Sequence, residues 1–367
     1  LGEKMLDIIL ANEKRRGAAI LKKLNGKNPV FLCTIGVTET AKINGISAAG
    51  ENPQITDYTP PADVELLQLG KCKCISGVPI TPDGIPTPAL ITMSALKLAN
   101  TPSLVVSAGL KIKPHVPFVE LGGKPGRDIR SGRALENAEE VINNAKILGE
   151  NLSKTAEYLV IGESIPGGTT TALSVLLAMG IDAMGKVSSS MPNNPHKLKI
   201  KTAQEGIKAA GAKFGDFEND PLKAVSSVGD PIQPALAGLV LGAAEKVPVI
   251  MAGGTQMSAV LAVVNVLNPQ LLKNLVIGTT RWIINDKTAD LKGLVNQIAD
   301  VPIIAADLDF SKTGLEGLKA YEKGIVKEGV GCGGASIAAI LKSKGIITKD
   351  ILLREIENNY KQIVKAT

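Results

Sequence analysis

The sequence predicts an α/β protein: a doubly wound, mostly parallel sheet of the Rossmann-like, three-layer kind, with a small helical lobe from the N- and C-terminal segments. Three observations point there. Short apolar runs recur along the chain with few polar interruptions, the pattern of strands covered on both faces. Helical stretches lie between them, which implies right-handed βαβ crossovers. The composition agrees, because 38 glycines against 3% aromatic residues suit a chain that packs with Ala, Val, Ile and Leu and turns on glycine.

Taken in order, Glu3 to Leu24 reads as an amphipathic helix, with Leu6, Ile9, Leu10 and Ile20 among charged residues. Six strand-like runs follow: Pro29 to Ile35, Ser103 to Ser107, Tyr158 to Ile161, Pro248 to Met251, Asn274 to Ile277 and Pro302 to Ala305. Helical patterns occupy many of the intervals, among them Ala134 to Leu152, Lys199 to Ala210 and Ala235 to Glu245. Gly45 to Pro88 differs. It holds seven prolines and little helical period, and is expected to be irregular chain that caps the sheet and encloses a substrate. Asp350 to Lys365 is again amphipathic. Residues 25–345 are therefore expected to form a large nucleotide-binding domain, and residues 1–24 with 346–367 the small lobe.

With 44% hydrophobic and 21% charged residues the chain is an ordinary globular one, not a disordered one. Its +6 charge comes mostly from dispersed lysines, read either as a solvated surface or as steering of a small anion. With no arginine-rich tract and few aromatic residues for base stacking, nucleic-acid binding is not expected. Cys72-Lys-Cys74 is a lone pair read as reduced thiols, and two histidines, His115 and His196, give poor support to a His-based metal site or a Ser-His-Asp triad. Glu3, Lys4 and Asp7 interrupt any signal-peptide pattern, and the apolar run Ala235 to Ala244 is too short for a bilayer. A cytoplasmic location without a membrane partner is expected.

The strongest local signal is Tyr158-Leu-Val-Ile-Gly-Glu-Ser-Ile-Pro-Gly-Gly-Thr-Thr-Thr-Ala-Leu-Ser174. A strand runs into Gly162-Glu163, turns through Pro166-Gly167-Gly168, and opens a helix at Thr169 or Thr170. Free N–H groups at such a turn favour an anion, and threonine hydroxyls add donors; the plainer reading is a strand-to-helix turn. Ala252-Gly-Gly-Thr-Gln-Met257 and Glu328-Gly-Val-Gly-Cys-Gly-Gly-Ala335 are two further glycine clusters, each a packing turn or part of a ligand site at the sheet's carboxyl edge. Glu163 and Glu328 border these loops, as a raised-pKa base or as ordinary solvated acids. Arg127, Arg130 and Arg133 recur every third residue, as an anion clamp or a charged helix start.

These residues resemble the nicotinate-nucleotide–dimethylbenzimidazole phosphoribosyltransferases of cobamide biosynthesis, more closely their archaeal branch. The family carries Gly-Glu-Met-Gly-Ile-Gly-Asn-Thr-Thr before an Ala-rich helix, and Gly162-Glu-Ser-Ile-Pro-Gly-Gly-Thr-Thr170 stands in register with it. Asp220-Pro221, Ala237-Gly238, Leu241-Gly-Ala-Ala244 and Pro248-Val249 follow the family's landmarks in the same order. Glu328-Gly-Val-Gly331 is similar to the family's Glu-Gly-Ser/Thr-Gly, and Gly45-Ile-Ser47 with Pro53-Gln54 to a segment lining its base pocket. Gly168 stands where the family has Asn, and Ala252-Gly253-Gly254 where it has Asp-Gly-Phe.

The resemblance implies transfer of the ribose phosphate of nicotinate mononucleotide to an azole base, with nicotinate released and an α-ribotide formed. It makes Glu328 the catalytic base and gives Glu163 a role on the ribose or beside that base. Gly167, Gly168, Thr169 and Thr170 would hold the 5′-phosphate, with Lys197 or Lys199 adding charge. Gly253, Gly254 and Thr255 would line the substrate site and Ser47 the base pocket. The pyridinium leaving group calls for no cofactor or metal, and the family implies a homodimer. Two other readings stay open: a different nucleotide or phosphosugar glycosyl-transfer enzyme, and a non-catalytic nucleotide-binding homologue.

Overall fold

A computed structural model describes residues 6–47, 49, 54–77, 79–80 and 84–365, with backbone alone at 364–365. Eight strands form one sheet: β1 (Ile8–Leu10), β2 (Pro29–Gly36), β3 (Ser103–Gly109), β4 (Val119–Glu120), β5 (Tyr158–Ser164), β6 (Val249–Ala252), β7 (Leu275–Thr280) and β8 (Ile303–Ala306). Their order is β1-β8-β7-β6-β5-β2-β3-β4, with β1 antiparallel to β8 and every other pairing parallel. From β2 the chain winds outward through β3 and β4, then returns to β5 on the other side of β2 and continues to β8. That reversal between β2 and β5 is a topological switch point, where crossovers leave on opposite faces and open a crevice at the strands' carboxyl ends.

The strand residues alternate between two apolar layers. Phe31, Cys33, Ile35, Tyr158, Val160, Ile250 and Ile304 enter one layer, while Leu32, Leu159, Ile161, Val249, Met251 and Ile277 enter the other. All six runs expected as strands are strands, because a run buried on both faces has no position that needs a polar residue. The helices Ala138–Leu152, His196–Ala209 and Ile232–Ala243 match three of the helical patterns. Glycines set how closely one pair packs: a Cβ at Gly238 would lie 2.3 Å from the Ile142 carbonyl oxygen, and one at Gly242 2.0 Å from that of Lys146.

Two stretches differ from expectation. Residues 8–10 form the edge strand β1, and helix begins only at Lys14. Leu6, Ile9 and Leu10 suit a helix face, but Asn12 fixes the strand. Its side chain donates to the Val301 carbonyl at 3.2 Å and accepts from the Ile303 N–H at 2.5 Å. The second stretch is the proline-rich segment, which contains the helix Thr59–Leu69. Its prolines stand in the first turn, where no N–H is needed, and both faces are buried, so no amphipathic period marks it. The segments expected as a terminal lobe thus contribute a strand as well as two helices. Ile20 and Leu24 of Lys14–Leu24, and Leu352, Leu353 and Ile356 of Lys349–Lys365, lie in the same apolar layer as Phe31. Among the described residues no helix is long and apolar enough to cross a membrane.

Candidate active site

The site begins with a close approach of two backbones. Gly162 in β5 faces Gly331, the residue before the helix Cys332–Lys342, and a Cβ on Gly162 would sit 2.9 Å from the Gly331 Cα. Gly331 adopts φ 64°, which costs glycine little. The Val330 N–H donates to the Glu163 carbonyl at 2.9 Å and locks the loop onto the strand end. Glu163 and Glu328 therefore face one cavity of about 540 Å³ at the carboxyl ends of the strands. Thr169, at the start of the helix Gly168–Ala178, lines the same cavity.

The loop bearing Glu328 is strained. Val326, Lys327 and Val330 have φ of 68°, 61° and 53°, a region that costs a non-glycine residue on the order of 1 kcal/mol. Tertiary bonds hold it: the Val326 N–H donates to the Ser190 carbonyl at 3.1 Å, and the Thr280 hydroxyl donates to the Lys327 carbonyl at 2.7 Å. Lys327 also pairs with Asp286 at 2.6 Å, both nearly inaccessible to solvent.

The two glutamates are held differently. Glu328 Oε1 accepts from the Gly329 N–H, the Gly333 N–H and the Cys332 thiol, each at 3.2 Å. Among the described residues its Oε2 has only the Thr279 hydroxyl, at 3.5 Å, and is the freer oxygen. Burial raises the Glu328 carboxyl to about 7 despite those donors. Glu163 accepts from Gln256 Nε2 at 2.6 Å. Burial pushes it up to about 8, helped by the negative charges of Asp230, Glu328 and Asp63. Asp230 anchors the glycine turn from behind, accepting from the Thr171 hydroxyl at 2.5 Å, and burial raises it to about 6.

At the turn itself Gly167 takes φ 80°, and no side chain caps the helix Gly168–Ala178. The first-turn N–H groups of Gly168 and Thr169 have no partner within the helix, and both residues line the cavity. Lys199 lies directly behind, with its Nζ 3.0 Å from Thr169 Oγ1 and 2.6 Å from the Ser188 carbonyl. Burial, with the nearby charge of Lys327, lowers its ammonium to about 7.

Of the expected site residues, Glu163, Glu328, Gly167, Gly168, Thr169, Gly254 and Ser47 line the cavity. Thr170, Gly253, Thr255 and Lys199 do not. Thr170 and Thr255 are fully buried, and Thr255 Oγ1 accepts from the Ser188 N–H at 2.9 Å, holding the neighbouring wall. Gly253 backs onto Met257. Lys199 reaches the site through the lining residues Thr169 and Ser188. The arginine trio lies on the surface, where Arg127 pairs with Glu136 and Arg130 with Asp128, so it clamps nothing in the cavity. Pro53 lies outside the described residues. Cys72 and Cys74 are free thiols on a loop whose Lys73 and Cys74 N–H groups bond Glu65, itself held down to about 2 by those donors and His115 despite its burial. Asp63 and Asp230 lie outside the three glycine clusters, and Ser164 and Gln256 lie within two of them, but none of the four was expected as a site residue. Among the described residues no three of His, Cys, Asp and Glu converge on one ion.

Comparison with known proteins gives a consistent result. A family model described as "Phosphoribosyltransferase" matches residues 97–282. A UPF0284 protein of Sulfolobus acidocaldarius is 45% identical over 350 residues, 94% of this chain and 99% of its own. One of Methanocaldococcus jannaschii is 48% identical over 339 residues, covering 92% and 94%. Among solved structures, CobT from Thermus thermophilus superposes with a TM-score of 0.57 at 15% identity, covering 91% of this chain and 92% of that one. A second structure from the same organism, titled as a nicotinate-nucleotide–dimethylbenzimidazole phosphoribosyltransferase, gives 0.55 at 15% identity and covers 93% and 94%. At that identity the likeness establishes the fold.

Proposed function

Because this chain belongs to the phosphoribosyltransferase family, together with the UPF0284 proteins, we propose that it moves the ribose phosphate of nicotinate mononucleotide to a benzimidazole-type base. The products are nicotinate and an α-ribotide for cobamide lower-loop assembly. One observation carries this reading: a half-shielded carboxylate with a proton affinity near neutrality, Glu328, looks into the same cavity as the uncapped turn at Gly168 and Thr169.

The chemistry needs little more than placement. In nicotinate mononucleotide C1′ is bonded to a cationic ring nitrogen, so nicotinate leaves with the bonding pair and becomes neutral at that nitrogen. Glu328 Oε2 takes the azole N–H proton as the azole nitrogen attacks C1′ from the opposite face, which inverts the anomeric carbon. Oε1 stays fixed by its three donors, so the carboxylate keeps its aim. The N–H groups of Gly168 and Thr169 with the Thr169 hydroxyl bind the 5′-phosphate, and Lys199 orients that hydroxyl and adds charge behind it. Glu163 lies beside the ribose. Fixing both reactants can supply roughly 7–11 kcal/mol of the barrier reduction. The family resemblance further implies a homodimer, which light scattering tests.

The test is incubation with nicotinate mononucleotide and a set of benzimidazoles and purines, reading nicotinate release and new ribotides. Azole-dependent release supports the proposal; hydrolysis without an acceptor points to another glycosyl transfer, and binding without turnover to a non-catalytic homologue. Glu328→Gln is expected to cut turnover at least about a hundredfold with mononucleotide affinity nearly unchanged. Turnover close to wild type in that variant removes Glu328 from the role.

A further inference from the structure

The transfer reaction gives work to Glu328, Glu163 and the glycine turn, and none to Asp63. That residue sits on the helix Thr59–Leu69 and its side chain lines the cavity, although only 3% of the residue is exposed. The same lining includes the apolar residues Ile46, Ile55, Ile75, Ile85 and Pro86 and the ring of Tyr58. Such walls suit a flat heterocycle. A carboxylate set among them is out of place for a purely apolar ring.

Asp63 is also held as a working group is held. The Thr87 hydroxyl donates to Oδ1 and the Ser164 hydroxyl to Oδ2, each at 2.7 Å, and both residues line the cavity beside it. A carboxylate offers about four acceptor positions, so the described residues leave two of them open. Among the described residues no Lys, Arg or His lines this cavity, so none of the described cations takes them up. A base that presented a methyl group there would leave a buried acceptor unpaired, a penalty of roughly 1–3 kcal/mol. A base that presented an N–H would satisfy it.

We propose that the cavity selects a planar bicyclic azole carrying a second hydrogen-bond donor, such as an exocyclic amine, which Asp63 accepts while Glu328 faces the ring nitrogen to be ribosylated. Asp63 is then a specificity residue and takes no proton. The inference rests on the phosphoribosyl-transfer reading for the base being an acceptor, but the preference itself is a property of binding. Burial raises the Asp63 carboxyl to about 6, against the pull of its two hydroxyl donors, so at neutral pH it is still mainly an acceptor.

The test uses two bases of nearly equal size, 5-aminobenzimidazole and 5-methylbenzimidazole. Each is titrated into the full chain by calorimetry, and each is offered separately as acceptor in the nicotinate-release assay. The amino compound is expected to bind at least about tenfold more tightly. Asp63→Leu should bring that ratio to one or below. Thr87→Val keeps the carboxylate and removes one tether, and should lose part of the ratio; it carries the test where the leucine variant fails to fold. Equal binding by the unaltered protein, or a ratio that survives in both variants, overturns the assignment of Asp63. An amino preference without nicotinate release from either base leaves Asp63 standing and removes the transfer reading. Release with both bases at equal affinity does the reverse.

Discussion

At the scale of single residues, Glu163 and Glu328 share a cavity yet are held by different surroundings. Glu328 has three donors on one oxygen, whereas Glu163 has a glutamine and three neighbouring acids. A carboxyl raised from 4.5 to about 8 on folding binds its proton more tightly in the native state. Its contribution to stability is complete below the unfolded pKa and disappears as pH rises through the folded one. Glu328, Asp63 and Asp230 are shifted in the same direction. Stability from these groups therefore falls between about pH 4 and 8, and thermal melts across that range are expected to show it. Glu163→Gln removes one of the charges, and should raise stability at pH 8 by about 2 kcal/mol and flatten the pH dependence. A melting temperature at pH 8 that drops in this variant contradicts the clustering argument. Sequence pattern could single out Glu163 and Glu328 because each borders a glycine turn. Asp63 and Asp230 gave no such sign: each becomes special only through partners 101 and 59 residues away, Ser164 and Thr171.

Among elements, the contact between β5 and the loop before Cys332–Lys342 decides whether the two halves of the site meet. Gly162→Ala would place a methyl 2.9 Å from the Gly331 Cα and 3.1 Å from the Phe31 ring. Backbone cannot swing aside as a flexible side chain can, so the loop must lift. The expected result is a loss of about 1–3 kcal/mol of stability and a fall in turnover larger than the fall in mononucleotide affinity. Unchanged kinetics in a folded variant would mean that the loop's position is set elsewhere. The strands were legible because burial on both faces leaves an unbroken apolar run. β1 was not, since Ile8, Ile9 and Leu10 satisfy a helix face and a strand equally, and the choice is made by Asn12 against a strand nearly 300 residues later. The helix Thr59–Leu69 was hidden for the opposite reason: buried on all sides, it has no polar stripe to reveal its period.

For the molecule as a whole, the reversal of strand order between β2 and β5 fixes where the cavity lies; a site at the carboxyl edge was legible from glycine clusters in a doubly wound sheet, but the strand order was not. Which loops close over it did not follow, because their contacts run between segments far apart in the chain. Ligand linkage tests the whole arrangement. Nicotinate mononucleotide at a hundred times its dissociation constant should stabilise the fold by about 2.7 kcal/mol, seen as a rise of several degrees in melting temperature. At the same concentration the corresponding nucleoside, lacking the phosphate, should raise it far less. Lys199→Met should shrink the difference between the two, since its ammonium reaches the glycine turn through Thr169. Equal shifts from nucleotide and nucleoside in the unaltered protein would argue against a phosphate at that turn.

The short strand β1 has a bearing on how the protein can be handled. By pairing with β8 it covers one rim of the sheet, while the far rim ends in the two-residue β4. A form trimmed to start after Asn12 would leave Ile303 to Ala306 with a row of amide and carbonyl groups open to any passing extended chain. Such a form should clump on standing even if its pocket is intact, and a charged substitution alone would not restore the missing ladder.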